Sequence, residues 1–171
     1  MSDRQEPEAT TADPRALFAA YLRFYRDAAI GKVASLPVPE QRTSRLPSGW
    51  TPLELLLHLA HMEQRWFVWH FLGEDVADPW GDRWEGRRED PWFVPADVSL
   101  DDVAGRLRRV GARTDEVLAG RRLDEMGRPA PGYPGGAAPL AWICFHVLQE
   151  YARHVGHLDV AVELAGGPTG E

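Results

Sequence analysis

Along four stretches of the chain, apolar residues return every three or four positions, the period of a helix with one face turned inward. The first stretch carries Leu17, Phe18, Tyr21, Leu22, Phe24, Tyr25 and Ala28 and runs to about Val33. Asp13 and Pro14 precede it and read as N-cap and first helical residue. Residues 1–12 are polar and are expected to form a disordered leader, with residues 13–171 a single domain. Pro37, Pro39 and Pro47 stop the pattern, so residues 35–50 form a connection. Thr51-Pro52-Leu53-Glu54 is a capping box and opens a second helix that reaches about Leu72, before Gly73. Residues 74–98 show no period and hold Trp80, Trp84 and Trp92, which predicts a long loop pinned to the helices by its aromatic side chains. Ser99, Asp101 and Asp102 start a third helix with Val103, Leu107, Val110 and Val117 or Leu118 on its inner face, ending at Gly120. Its Arg106, Arg108, Arg109 and Arg113 read as a solvated face. Residues 121–138 are rich in Pro and Gly and form a second crossing, after which Pro139 restarts a helix that stops at Gly166-Gly167. Four long helices without a period-two strand predict an all-α fold, a four-helix bundle with long crossover connections.

Composition narrows the function without defining it. The chain has 171 residues, enough for one domain with a substantial core. Its net charge is −7 and its pI about 5.4, so no positive field draws it to nucleic acid or anionic lipid. The longest apolar run, Leu53–Leu59, is broken by Glu54 and His58 and is far shorter than the roughly 20 residues that span a bilayer. The start lacks the order of a secretory signal, and one cysteine, Cys144, cannot form an internal disulfide. A cytoplasmic location follows as the expectation. Cys144 sits in AWICFHV and reads as an inert buried thiol; Tyr151 and Trp142 read as core residues.

The candidate chemistry lies in HVLQEYARHVGH, where His146, Glu150, His154 and His157 follow one another at spacings of four, four and three. At about 100° per residue these side chains fall within an arc of roughly 80° on one helix face. All six histidines are in two helices, the others being His58, His61 and His70, which suggests one shared site. Imidazole and carboxylate groups at i and i+4 point the same way and suit a divalent metal, zinc best, with nickel, iron or manganese admissible. One helix face cannot complete the donor set, so a further ligand must come from the second helix, where His58 and His61 are equivalent on spacing alone. Glu54, His58, His61 and Arg65 form a narrow polar strip there, facing either water as i,i+4 pairs or a cavity between helices. No P-loop, dinucleotide-binding turn, nucleophile elbow or H-E-x-x-H motif occurs.

WTPLELLLHLA at Trp50–Ala60 and HVLQEYARHVGHLD at His146–Asp159, with GGPTGE beyond, resemble the DinB/YfiT-like superfamily, and within it an actinobacterial branch related to mycothiol-dependent enzymes. The resemblance covers about Pro14 to Glu171. It implies a bundle in which one residue of helix two and two of helix four hold a metal, here His58, Glu150 and His154. His61, His146 and His157 then become neighbours that orient a ligand or bound water, or alternative ligands. Members of known activity are thiol-dependent isomerases or S-transferases, so the resemblance implies a divalent metal, mycothiol or a similar small thiol as cosubstrate, an electrophile as second substrate, and pairing of two copies as a homodimer. The additional domain of the maleylpyruvate isomerase type does not follow here, so that reaction is not expected. The competing expectation is a non-catalytic or vestigial helical module that acts in oligomerisation or stress-linked ligand binding.

Overall fold

The computed structural model describes residues 6–82 and 92–168 and is all-α among them. The elements are α1 (Pro14–Ala34), a short α2 (Val38–Gln41), α3 (Pro52–Gln64) running on as a π-helix (Arg65–Leu72), α4 (Leu100–Gly120) and α5 (Leu140–Leu164). Helix α1 packs against α5 and α4, and α3 packs against α4 and α5. Residues 1–5 of the expected leader lie outside the described residues, as does Trp84; residues 6–12 carry a turn and no helix.

Side-chain caps start α1, α3 and α4 where the sequence places them. Asp13 accepts from the Arg15 amide at 3.1 Å. The capping boxes Thr51/Glu54 and Ser99/Asp102 are both closed, each satisfying two amides that a helix start leaves free. The connection at residues 35–50 contains α2, a single turn that the prolines had masked. The second expected helix changes period after Gln64, where RWFVWHFL widens into a π-helix. Gly73 ends it with φ 68°, and a Cβ there would stand 2.2 Å from the Arg128 carbonyl oxygen. That close approach lets the 121–138 crossing lie along the helix end, where the amides of Arg128 and Ala130 donate to the carbonyls of Phe71 and Trp69.

The core is aliphatic, with Leu22, Leu55, Leu56, Leu59, Leu107, Ile143, Val147 and Leu158 fully buried. An ionic junction runs through it. Arg26 of α1 donates from Nε and Nη2 to Glu63 of α3 at 3.0 and 2.5 Å, and from Nη1 to Asp115 of α4 at 3.4 Å. Tyr151 of α5 donates its hydroxyl to Glu63 at 2.5 Å. Burial and the Glu63 carboxylate push the Tyr151 phenol well up, so it remains a donor. Gly111 makes room: a Cβ there would lie 2.8 Å from Arg26 Nε. Four long helices thus share one buried hydrogen-bonded cluster. Removing one partner strands the others away from water, so Glu63→Ala is expected to lower unfolding free energy by about 3–5 kcal/mol in urea titration. A loss below about 1 kcal/mol, the range of an exposed pair, would contradict this role.

Candidate metal centre

The polar strip on α3 does not face water. His58, His61 and Arg65 are all buried, and Glu54 is used in its capping box. The reason is the loop after the π-helix, which folds back and sets Asp82 against the strip. Arg65 donates to Asp82 Oδ1 at 2.6 Å and Oδ2 at 3.2 Å, and to the Pro79 carbonyl at 3.0 Å. His58 Nδ1 lies 2.8 Å from Asp82 Oδ2. Burial alone would raise the Asp82 carboxyl, but the hydrogen bonds from His58 and Arg65 and the Arg65 charge hold it well below the usual carboxylate range. With Nδ1 held by the Asp82 carboxylate, Nε2 is the His58 ring nitrogen left for a ligand.

Across from His58, α5 presents Glu150 and His154. His154 Nε2 stands 3.1 Å from Glu150 Oε2, and the His58 and His154 ring centres are 5.1 Å apart. One ligand atom from each of His58, Glu150 and His154 lies within 4.8 Å of the others, a set that could hold a metal ion. Burial and the neighbouring His58 push His154 down to about 4, so its imidazole is neutral and keeps a lone pair. Trp92 stacks on His58 with centroids 4.4 Å apart and meets His154 edge-on at 5.5 Å. The tryptophan loop is therefore pinned as expected at Trp92, and Trp80 lies against Trp69 and under the Arg65 guanidinium. Trp92 also walls the site, and Asp82 supplies its orienting carboxylate. Neither role was readable from a loop without period.

The other histidines divide. His146 Nε2 is 3.9 Å from Glu150 Oε1, and the His157 ring is 5.5 Å from that of His154, so both border the trio. His61 turns toward α4, with Nδ1 3.4 Å from Arg106 Nη2. His70 is elsewhere, bonded through Nε2 to the Gly136 carbonyl at 2.8 Å and set against Tyr133. The single shared site for all six histidines is thus corrected: the period change after Gln64 and the crossing loop give His70 its own partner. The solvated arginine face is corrected at Arg106, which is half-buried and donates to Gln64 at 2.9 Å. Trp142 is corrected from core to half exposed, whereas Tyr151 is fully buried. Cys144 is fully buried and pushed up to about 12 by burial, an inert thiol.

Burial, then the Arg106 charge, push His61 down from 6.5 to about 4. The unfolded chain takes up this proton near pH 6.5 and the folded chain only near 4. Stability is therefore intact above pH 6.5 and falls as pH drops through that window. In chelator-treated protein His61→Gln is expected to reduce this slope of the urea midpoint; identical slopes would contradict a buried neutral His61.

No helix among the described residues is long and apolar enough to cross a membrane. No curated protein matches the chain. The family model described as mycothiol-S-transferase matches residues 17–167, from the first turn of α1 to past the end of α5. With both helices of the trio and nearly the whole fold inside that match, the chain belongs to the mycothiol S-transferase family.

Proposed function

We propose that His58, Glu150 and His154 hold one divalent cation, zinc or nickel, and that the protein transfers the sulfur of mycothiol or a similar small thiol to an electrophilic carbon. The observation that carries this reading is the convergence of the three ligand atoms within 4.8 Å, in a chain of this family. Donors about 2.1 Å from a shared ion at tetrahedral angles stand about 3.4 Å apart, so closing the trio takes side-chain shifts of only about 1 Å. We read the four long helices as the DinB/YfiT-like bundle, which sets one ligand on α3 and two on α5. The donor chemistry fits: His154 is neutral, His58 presents Nε2, and the Glu150 carboxylate offsets the cation charge. Three protein donors leave room for one exogenous ligand, as in catalytic and not structural sites.

When bound, a divalent cation supplies the Lewis acidity that favours the thiolate form of a thiol at neutral pH. The chain's own residues do the rest. Asp82, itself clamped by Arg65, keeps the His58 ring from rotating. Trp92 covers the His58 and His154 rings and keeps water from that side. In the overall substitution a sulfur–carbon bond forms, the bond from carbon to the leaving group breaks, and the thiol proton departs with the leaving group.

Metal analysis of the purified, loaded protein is expected to find one ion per chain, lost in Glu150→Ala and in His154→Ala. Asp82→Asn, which keeps the side-chain volume, is expected to weaken metal affinity about 10- to 100-fold. Mycothiol with iodoacetamide is expected to form the conjugate only in the loaded protein. A protein that retains no metal under any loading, or variants that bind it undiminished, would overturn the assignment of the trio. A loaded protein that forms no conjugate would leave a helical metal-binding module without transferase activity and overturn the reaction.

A further inference from the structure

Side-chain exposure rises in order along one stripe of α5, from 9% at His154 to 19% at Glu150 and 26% at His146. Trp142, the next residue outward, is 50% exposed as a whole. Residues four apart are about 6 Å apart along a helix, so the stripe climbs stepwise from the buried trio to solvent. Its outer half is aromatic. Trp142 and His146 stack with centroids 5.1 Å apart and planes 7° from parallel. Trp66 of the π-helix leans on both, 4.4 Å from His146 and 5.4 Å from Trp142. His146 Nε2 stands 3.9 Å from Glu150 Oε1, so the rings are continuous with the trio.

An exposed aromatic surface continuous with a cluster of polar side chains is the kind of surface that ligands occupy. Rigid π faces hold flat π systems by stacking and edge contact, with little side-chain ordering, and give a saturated group of equal size less. We propose that Trp142, His146 and Trp66 form the subsite for the second substrate, and that its class is a carbon electrophile carried on or conjugated to an aromatic ring. The ring would lie against the tryptophans and the reactive carbon would point inward along the stripe to Glu150. Naming the guest an electrophile rests on the thiol-transfer reading; binding of a planar aromatic does not.

Calorimetry with 2-naphthol and its saturated counterpart decahydro-2-naphthol separates the two, because neither probe requires turnover. Wild-type protein is expected to bind 2-naphthol at one site and the saturated probe at least several-fold more weakly, and Trp142→Ala to weaken 2-naphthol about tenfold. Trp142→Leu, which keeps apolar bulk without the π face, is expected to lose the preference for the flat probe. In turnover with mycothiol, Trp142→Ala is expected to lower the ratio of kcat/KM for 1-chloro-2,4-dinitrobenzene over iodoacetamide about tenfold. Equal binding of the two probes, or 2-naphthol affinity unchanged in Trp142→Ala, overturns the subsite. So does a dimer that dissociates in Trp142→Ala with probe affinity unchanged, which would make the patch a contact between copies. Trp142-dependent 2-naphthol binding in a protein that forms no conjugate supports the subsite and refutes the transferase reading.

Discussion

One buried junction sets the relation of the helices on which everything else depends. Arg26, Glu63, Asp115 and Tyr151 come from α1, α3, α4 and α5, and the Glu63 carboxylate joins two of the others directly. Aliphatic packing among leucines tolerates small rotations and slides, because one methyl contact replaces another. A guanidinium and a phenol that share a carboxylate in a dry interior do not, since a slip leaves a buried donor unpaired. Glu63 lies on the same helix as His58, and Tyr151 is the residue after Glu150. The junction thereby sets the separation of α3 from α5, and with it the distances within the trio.

A second constraint is electrostatic. The α3 strip brings two histidines and an arginine into the interior, and such groups are tolerated there only when their protons and charges are met. Asp82 meets Arg65 and His58, and His61 stays neutral beside Arg106. The same contact that neutralises Arg65 holds the His58 ring against His154 of α5. Charge balance in the core and the orientation of His58 are one arrangement.

The helices were legible because their signals are local. Asp13, Thr51 with Glu54, and Ser99 with Asp102 act within one turn, and the chain starts its helices at those points. The stripe of His146, Glu150, His154 and His157 was legible because helical geometry alone puts these residues on one face. What spacing left open was which α3 histidine turns toward α5, and the answer came from a loop residue 24 positions away. Asp82 and Trp92 carry no periodic signature, so their roles depend on where residues 74–82 and 92–98 lie against the helices. The π-helix was unreadable for a related reason: RWFVWHFL is apolar nearly all round, and such a segment has no polar face to register a change of pitch. Trp142 misled because an indole in an apolar run is usually core, whereas here it borders the approach to the trio.

The absorption spectrum of the cobalt(II)-loaded protein reads whether the trio holds a metal that is open to a small thiol. Intense visible bands of a low-coordinate histidine and carboxylate site, with a sulfur-to-cobalt charge-transfer band on adding mycothiol that is missing in His154→Ala, is the predicted result. A weak octahedral spectrum that neither mycothiol nor His154→Ala alters would place the metal elsewhere than the trio.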